Sequence, residues 1–262
     1  LVRSRGLGDV YKRQTPLTVK ASGELTDHVS KCLQLALLLE VSAYPKPGNV
    51  HRTADFERTR YEHFLASAVA VAPHFRNAAE KGIGAQAGKI SGLDKVGVGK
   101  IIKDAAVDVA TWQHGGNTLL GSVILLAPLA VAAGITLVRG KFSITRLRKS
   151  LKQVVESTTS ADAVNVYEAI EIAKPGGLGK APRLDVSDAS SKQKIIDEQV
   201  SLHEVFKISA AWDSVSSEWV KNYPVTFEIG YPYLTEQLKE TRDVNTATVH
   251  TFLKILSEVP DT

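Results

Sequence analysis

The chain of 262 residues contains no methionine and one cysteine, and its aromatic content is only 6%. A single cysteine excludes an intramolecular disulfide and suits a reducing, cytoplasmic setting. Cys32 falls on an apolar helical pattern, so it is expected to be a buried small hydrophobe. With few aromatics, Leu, Ile, Val and Ala supply the apolar bulk, a composition that suits helices. A strong charge of one sign is also missing. The net charge of +4 falls to +1 once residues 1–14 are set aside, because Arg3, Arg5, Lys12 and Arg13 there face only Asp9. That balance does not indicate a polyanion-binding surface, and no nucleic-acid partner is expected. No useful length alternates apolar and polar residues as a half-buried strand would. The chain has no H-E-x-x-H, C-x-x-C, G-x-S-x-G or dinucleotide fingerprint, and its seven histidines show no recognised metal spacing.

Residues 1–14, LVRSRGLGDVYKRQ, are basic and aperiodic and resemble a translated adaptor fragment. They are expected to be a non-native or disordered segment that packs against nothing substantial. Residues 24–262 are expected to form one helical domain, truncated at its C-terminus.

The stretch Thr111 to Gly134 organises the rest. Gly115 and Gly116 stop one helix and let backbone approach a ligand, while Asn117 and Thr118 are suited to capping the next. A helix start is also suited to an anion. No charge occurs from Leu119 to Val138, so the helix over about 117–138 must be surrounded by apolar partners. It is long enough to span a bilayer. Pro128 interrupts it, however, and no other segment is comparable, so it reads as the central helix of a globule, without membrane partners. Leu119 to Val131 are expected among the most buried residues.

Helical periodicity predicts further helices over Glu24–Ala43, Arg58–Lys81, Ile101–Trp112, Phe142–Glu156, Ala161–Ala173, about Lys194–Val220, Tyr233–Lys239 and Val244–Leu256. Gly82 to Gly99 reads as a flexible linker. Trp212 and Trp219, seven residues apart, read as a core stripe, and Asp213 and Glu218 as solvated. The fold class is therefore all-α, a single helical domain around a buried apolar helix.

The polar residues gather at breaks between these helices. Tyr44-Pro-Lys-Pro-Gly-Asn-Val-His51 is a rigid loop, since two prolines forbid helix and Gly48 permits positive φ. With Glu40, Lys46, Asn49, His51, Asp55, His114, Asn117, Asp213 and Asp261, the set suits a Mg²⁺-nucleotide. Carboxylates would hold the metal, while lysine, helix N-termini and loop amides would hold phosphate.

Pro45-Lys-Pro-Gly-Asn-Val50, the following Asp55, the helix with Phe64 and Ser67, the Gly-Gly-Asn-Thr turn at 115–118 with Gly121, and the terminal Pro-Asp-Thr occur together in one order. Together they resemble the triphosphoribosyl-dephospho-CoA synthase family over about residues 24–262. The resemblance implies an all-α transferase that joins the ribose C1 of ATP to the 2′-hydroxyl of 3′-dephospho-CoA and releases adenine. It implies ATP as substrate and Mg²⁺ as the metal. Lys46, Gly48, Asn49 and His51 of the loop, and Gly115, Gly116, Asn117 and Thr118 of the turn, would then belong to the nucleotide site. Glu40 and Asp55 would be catalytic, and Glu40, Asp55 and Asp261 would be metal or ribose ligands. The family pattern reads N-T-H-K-G at the turn, where this chain has Asn117-Thr-Leu-Leu-Gly121. Pro175-Gly-Gly-Leu-Gly179 with Asp185-Val186, and the stretch Asp213 to Trp219, resemble an archaeal-type branch instead. Those departures leave the acceptor open. The alternatives are a transferase of methanopterin-type coenzyme synthesis and a non-catalytic nucleotide-binding module.

Overall fold

The computed structural model describes residues 19–140 and 142–259, so the expectations for residues 1–14 and for Asp261 lie outside the described residues. Among the described residues there are eleven α-helices and no strand, which makes the fold all-α. The first six are α1 (Val19–Ser42), α2 (Tyr61–Gln86), α3 (Val98–Trp112), α4 (Leu120–Val138), α5 (Ile144–Glu156) and α6 (Ser160–Ala173). Three short helices follow, α7 (Ser191–Asp197), α8 (Leu202–Ser209) and α9 (Ser214–Val220). A π-helical turn at Val225–Gly230 leads to α10 (Tyr231–Thr241) and α11 (Val244–Glu258).

Helix α4 is the axis: α1, α2, α3, α5, α6 and α9 all touch it. Leu119, Leu120, Val123, Ile124, Ala127, Ala130 and Val131 are buried, while Leu125, Leu126 and Leu129 are half-buried against the core. Among the described residues α4 is the one helix long and apolar enough to cross a membrane, and 56% of its apolar window is buried by its neighbours.

The backbones of α4 and α2 approach each other closely. A Cβ on Gly82 would lie 2.1 Å from the Val131 carbonyl oxygen, and one on Gly134 would lie 2.2 Å from that of Ala79. Ala78, Ala79, Ala130 and Val131 complete a fully buried seam of small side chains. This corrects the linker expected from Gly82: α2 continues to Gln86 because the crossing needs a residue without a side chain there. The low helix propensity of glycine is outweighed by packing. Only beyond Gln86 does the chain loop, through a 3₁₀ turn at Leu93–Lys95, to Gly97 at φ +69° and the start of α3.

The second correction concerns Lys194–Val220, which is three helices rather than one. Gln199 takes the left-handed φ of 54°. Ser201 and Glu204 then form a reciprocal capping box that starts α8, and Asp213 caps α9 through the Val215 and Ser216 amides. The tryptophans consequently part company: Trp219 is 1% exposed and Trp212 42%. Pro128 has no N–H to give the Ile124 carbonyl, and the Trp219 indole N–H supplies one at 3.2 Å. The Tyr223 hydroxyl donates to the neighbouring Leu125 carbonyl at 3.1 Å. Glu218 is buried, not solvated, and accepts from the Val225 and Thr226 amides at 2.8 and 3.0 Å to organise the π-helical turn.

Cys32 is exposed, against expectation, because α1 turns that edge toward an apolar groove shared with Leu33, Leu129 and Phe142. Its Sγ lies 3.5 Å from His28 Nε2, and the desolvation that remains pushes the thiol up from its ordinary value.

The α2–α4 seam leaves no room for a methyl. Gly134→Ala is expected to lower stability by about 1–3 kcal/mol, the usual range for overpacking a tight core, read as a lower urea midpoint with an unchanged slope. An unaltered midpoint would show that the seam yields freely.

Candidate functional site

The Pro-rich loop leaves α1 through the cis Tyr44–Pro45 peptide. Lys46 is only 2% exposed, and its ammonium donates to the Glu40 carbonyl at 2.7 Å and to Glu40 Oε1. The ring of Phe252 on α11 lies 5.9 Å from that ammonium. Glu40 itself is exposed, so the buried lysine anchors a carboxylate at the surface. Gly48 turns the chain at φ +75°, and the Asn49 amide reaches the Lys46 carbonyl at 3.3 Å. His51 is buried; its Nδ1 accepts from the Thr53 amide at 3.3 Å, which places the proton of a neutral ring on Nε2. Asn245 of α11 grips Tyr44 at both backbone groups, at 3.0 and 2.8 Å, and the Arg52 guanidinium stacks 4.0 Å from the Tyr44 ring centre.

Helix α2 connects this loop to the glycine turn. Asp55 Oδ1 accepts from the Tyr61 amide at 2.8 Å and fastens the first turn of α2. Tyr61 Oη meets Ser42 Oγ at 2.7 Å, which ties α2 to the end of α1. On the other side Thr59 Oγ1 donates to the Gly115 carbonyl at 2.6 Å, and Ser67 Oγ and Thr118 Oγ1 are 2.7 Å apart. Gly115 is pressed against the His63 ring, where a Cβ would come within 2.0 Å of Nδ1. Gln113, buried just ahead of the glycines, bonds the Gly116 carbonyl at 2.9 Å and accepts from the Gly115 amide. Asn117 Oδ1 accepts from the Leu120 amide at 3.1 Å and opens α4, as its residue type indicates, whereas Thr118 turns to Ser67. The structure thus brings Glu40 to Lys46 and the turn to α2, and α2 is the bridge between the two groups. Thr59, His63 and Gln113 went unnoticed in the sequence. Only the position of Gln113 beside two glycines is a signal.

Asn117 and Leu120 line two cavities. The larger, about 360 Å³, is walled by Ile124, Val166 and Phe206, with the Pro175–Gly179 segment, Trp212 and Asp213 also lining it. The smaller, about 290 Å³, is lined by Gln113, His114, Gly116 and Lys174. The lining of the larger cavity includes none of Glu40, Lys46, Gly48, Asn49, His51 or Asp55. Tyr167 in its wall donates to the Leu184 carbonyl, and its hydroxyl is pushed up to about 12, first by burial and then by the charge of Asp185. It therefore stays protonated and serves as a peg for the loop.

Among the described residues no group of three or more His, Cys, Asp and Glu side chains has the closeness a metal needs. Glu40 and Asp55 each engage one carboxylate oxygen within the protein, through Lys46 and the Tyr61 amide. A second oxygen on each remains, which fits Mg²⁺, a cation that takes one or two carboxylates and completes its shell with water and substrate phosphate.

The fold and these features define a helical protein that presents a polar turn beside cavities of small-molecule size. Comparison with family descriptions matches residues 26–262 to ATP:dephospho-CoA triphosphoribosyl transferase, and the chain belongs to that family. No curated protein and no solved structure matches it. The family uses ATP and dephospho-CoA, which places the chain among the transferases of coenzyme biosynthesis.

Asp185 closes the loop over the larger cavity. Its carboxyl is held below the usual range by the Ser187 hydroxyl first, then by the Ser187 and Ala181 amides. A depressed folded pKa stabilises the folded form above the unfolded value and ceases to as pH falls through the folded one. The fastening is therefore expected to be intact at neutral pH and to loosen below the ordinary aspartate value of about 3.9. Amide exchange at Ala181 and Ser187, corrected for intrinsic rates, should accelerate there. Protection that persists well below that range would contradict the assignment.

Proposed function

We propose that this protein transfers the triphosphoribosyl group of ATP to a hydroxyl of a coenzyme-type acceptor such as 3′-dephospho-CoA and releases adenine. Family membership over residues 26–262, which includes both the Pro-rich loop and the glycine turn, is the observation that carries this reading. The acceptor oxygen forms a bond to ribose C1 while the C1–N9 bond breaks. The hydroxyl proton passes to a carboxylate, and the departing adenine takes up a proton at its ring nitrogen. Positive charge develops on the sugar, and a nearby carboxylate stabilises it.

Glu40 and Asp55 are the carboxylates proposed for this work, and they would also hold Mg²⁺, which would supply charge neutralisation for the phosphates. Asp261 is proposed as a further ligand. Lys46 positions Glu40 and adds positive charge beneath the loop, and the amides of Gly48, Gly116, Asn117 and Thr118 meet phosphate or ribose oxygens, with the Asn49 side chain beside them, Gly115 shaping the turn and His51 closing the loop behind.

A second reading has its own support. Leu119 and Leu120 are buried in the core, so the turn carries no side chain there that can reach a polar ligand. That observation favours another acceptor, of the methanopterin-coenzyme type, or nucleotide binding without turnover.

Incubation with ATP, Mg²⁺ and dephospho-CoA, followed by mass spectrometry, is expected to yield adenine and a product heavier by the triphosphoribosyl group. Adenine release only with a pterin precursor would support the second acceptor, and ATP binding without release the non-catalytic reading. Glu40→Gln is expected to reduce kcat more than it raises KM. Lys46→Ala is expected to weaken ATP binding by ~1–3 kcal/mol, through a lost charge-assisted hydrogen bond or the displaced Glu40.

A further inference from the structure

The two cavities that share Asn117 and Leu120 differ in chemistry. The larger has aliphatic and aromatic walls in Ile124, Val166 and Phe206, and its volume of about 360 Å³ lies within the range of small-molecule sites. Its lining includes Pro175 to Gly179, and the backbone amides of Gly176, Gly177, Leu178, Gly179 and Lys180 have no hydrogen-bond partner among the described residues. Free N–H and C=O groups beside an apolar slot match the edge of a purine, which presents ring acceptors and an exocyclic donor. Trp212 stands at the rim, 42% exposed, with Gly179 close enough that a Cβ there would be 3.8 Å from its indole nitrogen.

The smaller cavity brings an ammonium and an imidazole to the same turn. Lys174 and His114 both line it, both are exposed, and neither side chain has an ion-pair or hydrogen-bond partner among the described residues. Lys174 also ends α6 in the left-handed region at φ 47°, where glycine is the usual residue. Pro175, the next residue, belongs to the lining of the larger cavity, so the chain passes directly from one to the other.

We propose that the two cavities are one site for an adenosine 5′-diphosphate moiety, with the base in the larger cavity and the diphosphate between Lys174 and His114. Asn117 sits where the ribose joins them. Both ATP and dephospho-CoA carry this moiety, and the proposal rests on the transferase reading only for which of the two supplies it.

Calorimetric titration of the full chain with ADP, adenosine, ATP and dephospho-CoA tests it, with thermal unfolding as a check on folding. Lys174→Ala and His114→Ala change exposed side chains. Gly121→Leu fills the larger cavity from the first turn of α4, where a Cβ meets Val215 at an ordinary 3.6 Å. Lys174→Ala is expected to weaken ADP about tenfold or more, leave adenosine unchanged, and act in the same sense as His114→Ala. Gly121→Leu is expected to weaken adenosine and ADP alike. A loss confined to ATP or to dephospho-CoA names the source. Wild-type ADP affinity in both Lys174→Ala and Gly121→Leu overturns the proposal, as does equal loss of adenosine and ADP in Lys174→Ala. This outcome is separable from the transferase reading. Turnover with wild-type KM values in both variants sinks the site and leaves the activity, whereas the expected binding pattern without turnover in the unmodified chain sinks the activity and leaves the site.

Discussion

Backbone meets backbone where α2 crosses α4, and the docking of the glycine turn against α2 follows from that contact. Gly82 and Gly134 remove the side chains that would otherwise hold the helices apart. The same two helices meet again where Ser67 Oγ approaches Thr118 Oγ1 at 2.7 Å. Ser67 precedes Gly82 and Thr118 precedes Val131, so the helices run in the same direction, and α3 must carry the chain back between them. The first turn of α2 is thereby brought to the turn that opens α4. Thr59, His63 and Ser67 then brace a Gly-Gly-Asn-Thr segment that has few bonds of its own.

A second constraint sits in the middle of α4. Pro128 leaves the Ile124 carbonyl without its helical donor inside an apolar core, an arrangement that costs about 1–3 kcal/mol if nothing replaces the bond. Trp219 replaces it. That single bond fixes how α9 docks, and α9 in turn sets Asp213 and Trp212 at the cavity mouth and Glu218 under the π-helical turn. The C-terminal helices then reach back to the N-terminal half, where Asn245 clasps Tyr44 and Phe252 lies near Lys46. Residues some two hundred positions apart in the chain share the Pro-rich loop, with |i−j| = 201 for Tyr44 and Asn245.

Most helices were legible because their apolar residues recur on one face, and the central helix because no charge interrupts it. The failures share one cause. Gly82 looks like a linker residue when propensity is the only guide, and Cys32 looks buried when periodicity is. Each depends on which neighbour arrives at that face. Ser201 and Glu204 have the Ser-x-x-Glu spacing of a capping box and Asp213 is a capping residue type, local signals that override the apolar pattern running through both.

The candidate residues divide along the same line. Local chemistry alone determines that Gly115 and Gly116 form a turn, that Asn117 opens a helix and that two prolines keep Tyr44 to His51 out of one. Conformational preference acts within a few residues, so a single sequence records it. Tertiary structure alone decides that Lys46 is buried against Glu40, that Glu218 serves the backbone, and that Lys174 and His114 face one cavity beside Asn117. Those outcomes depend on side chains that reach each other across helix packing, and packing is settled by the whole set of shapes in the core rather than by any segment within it.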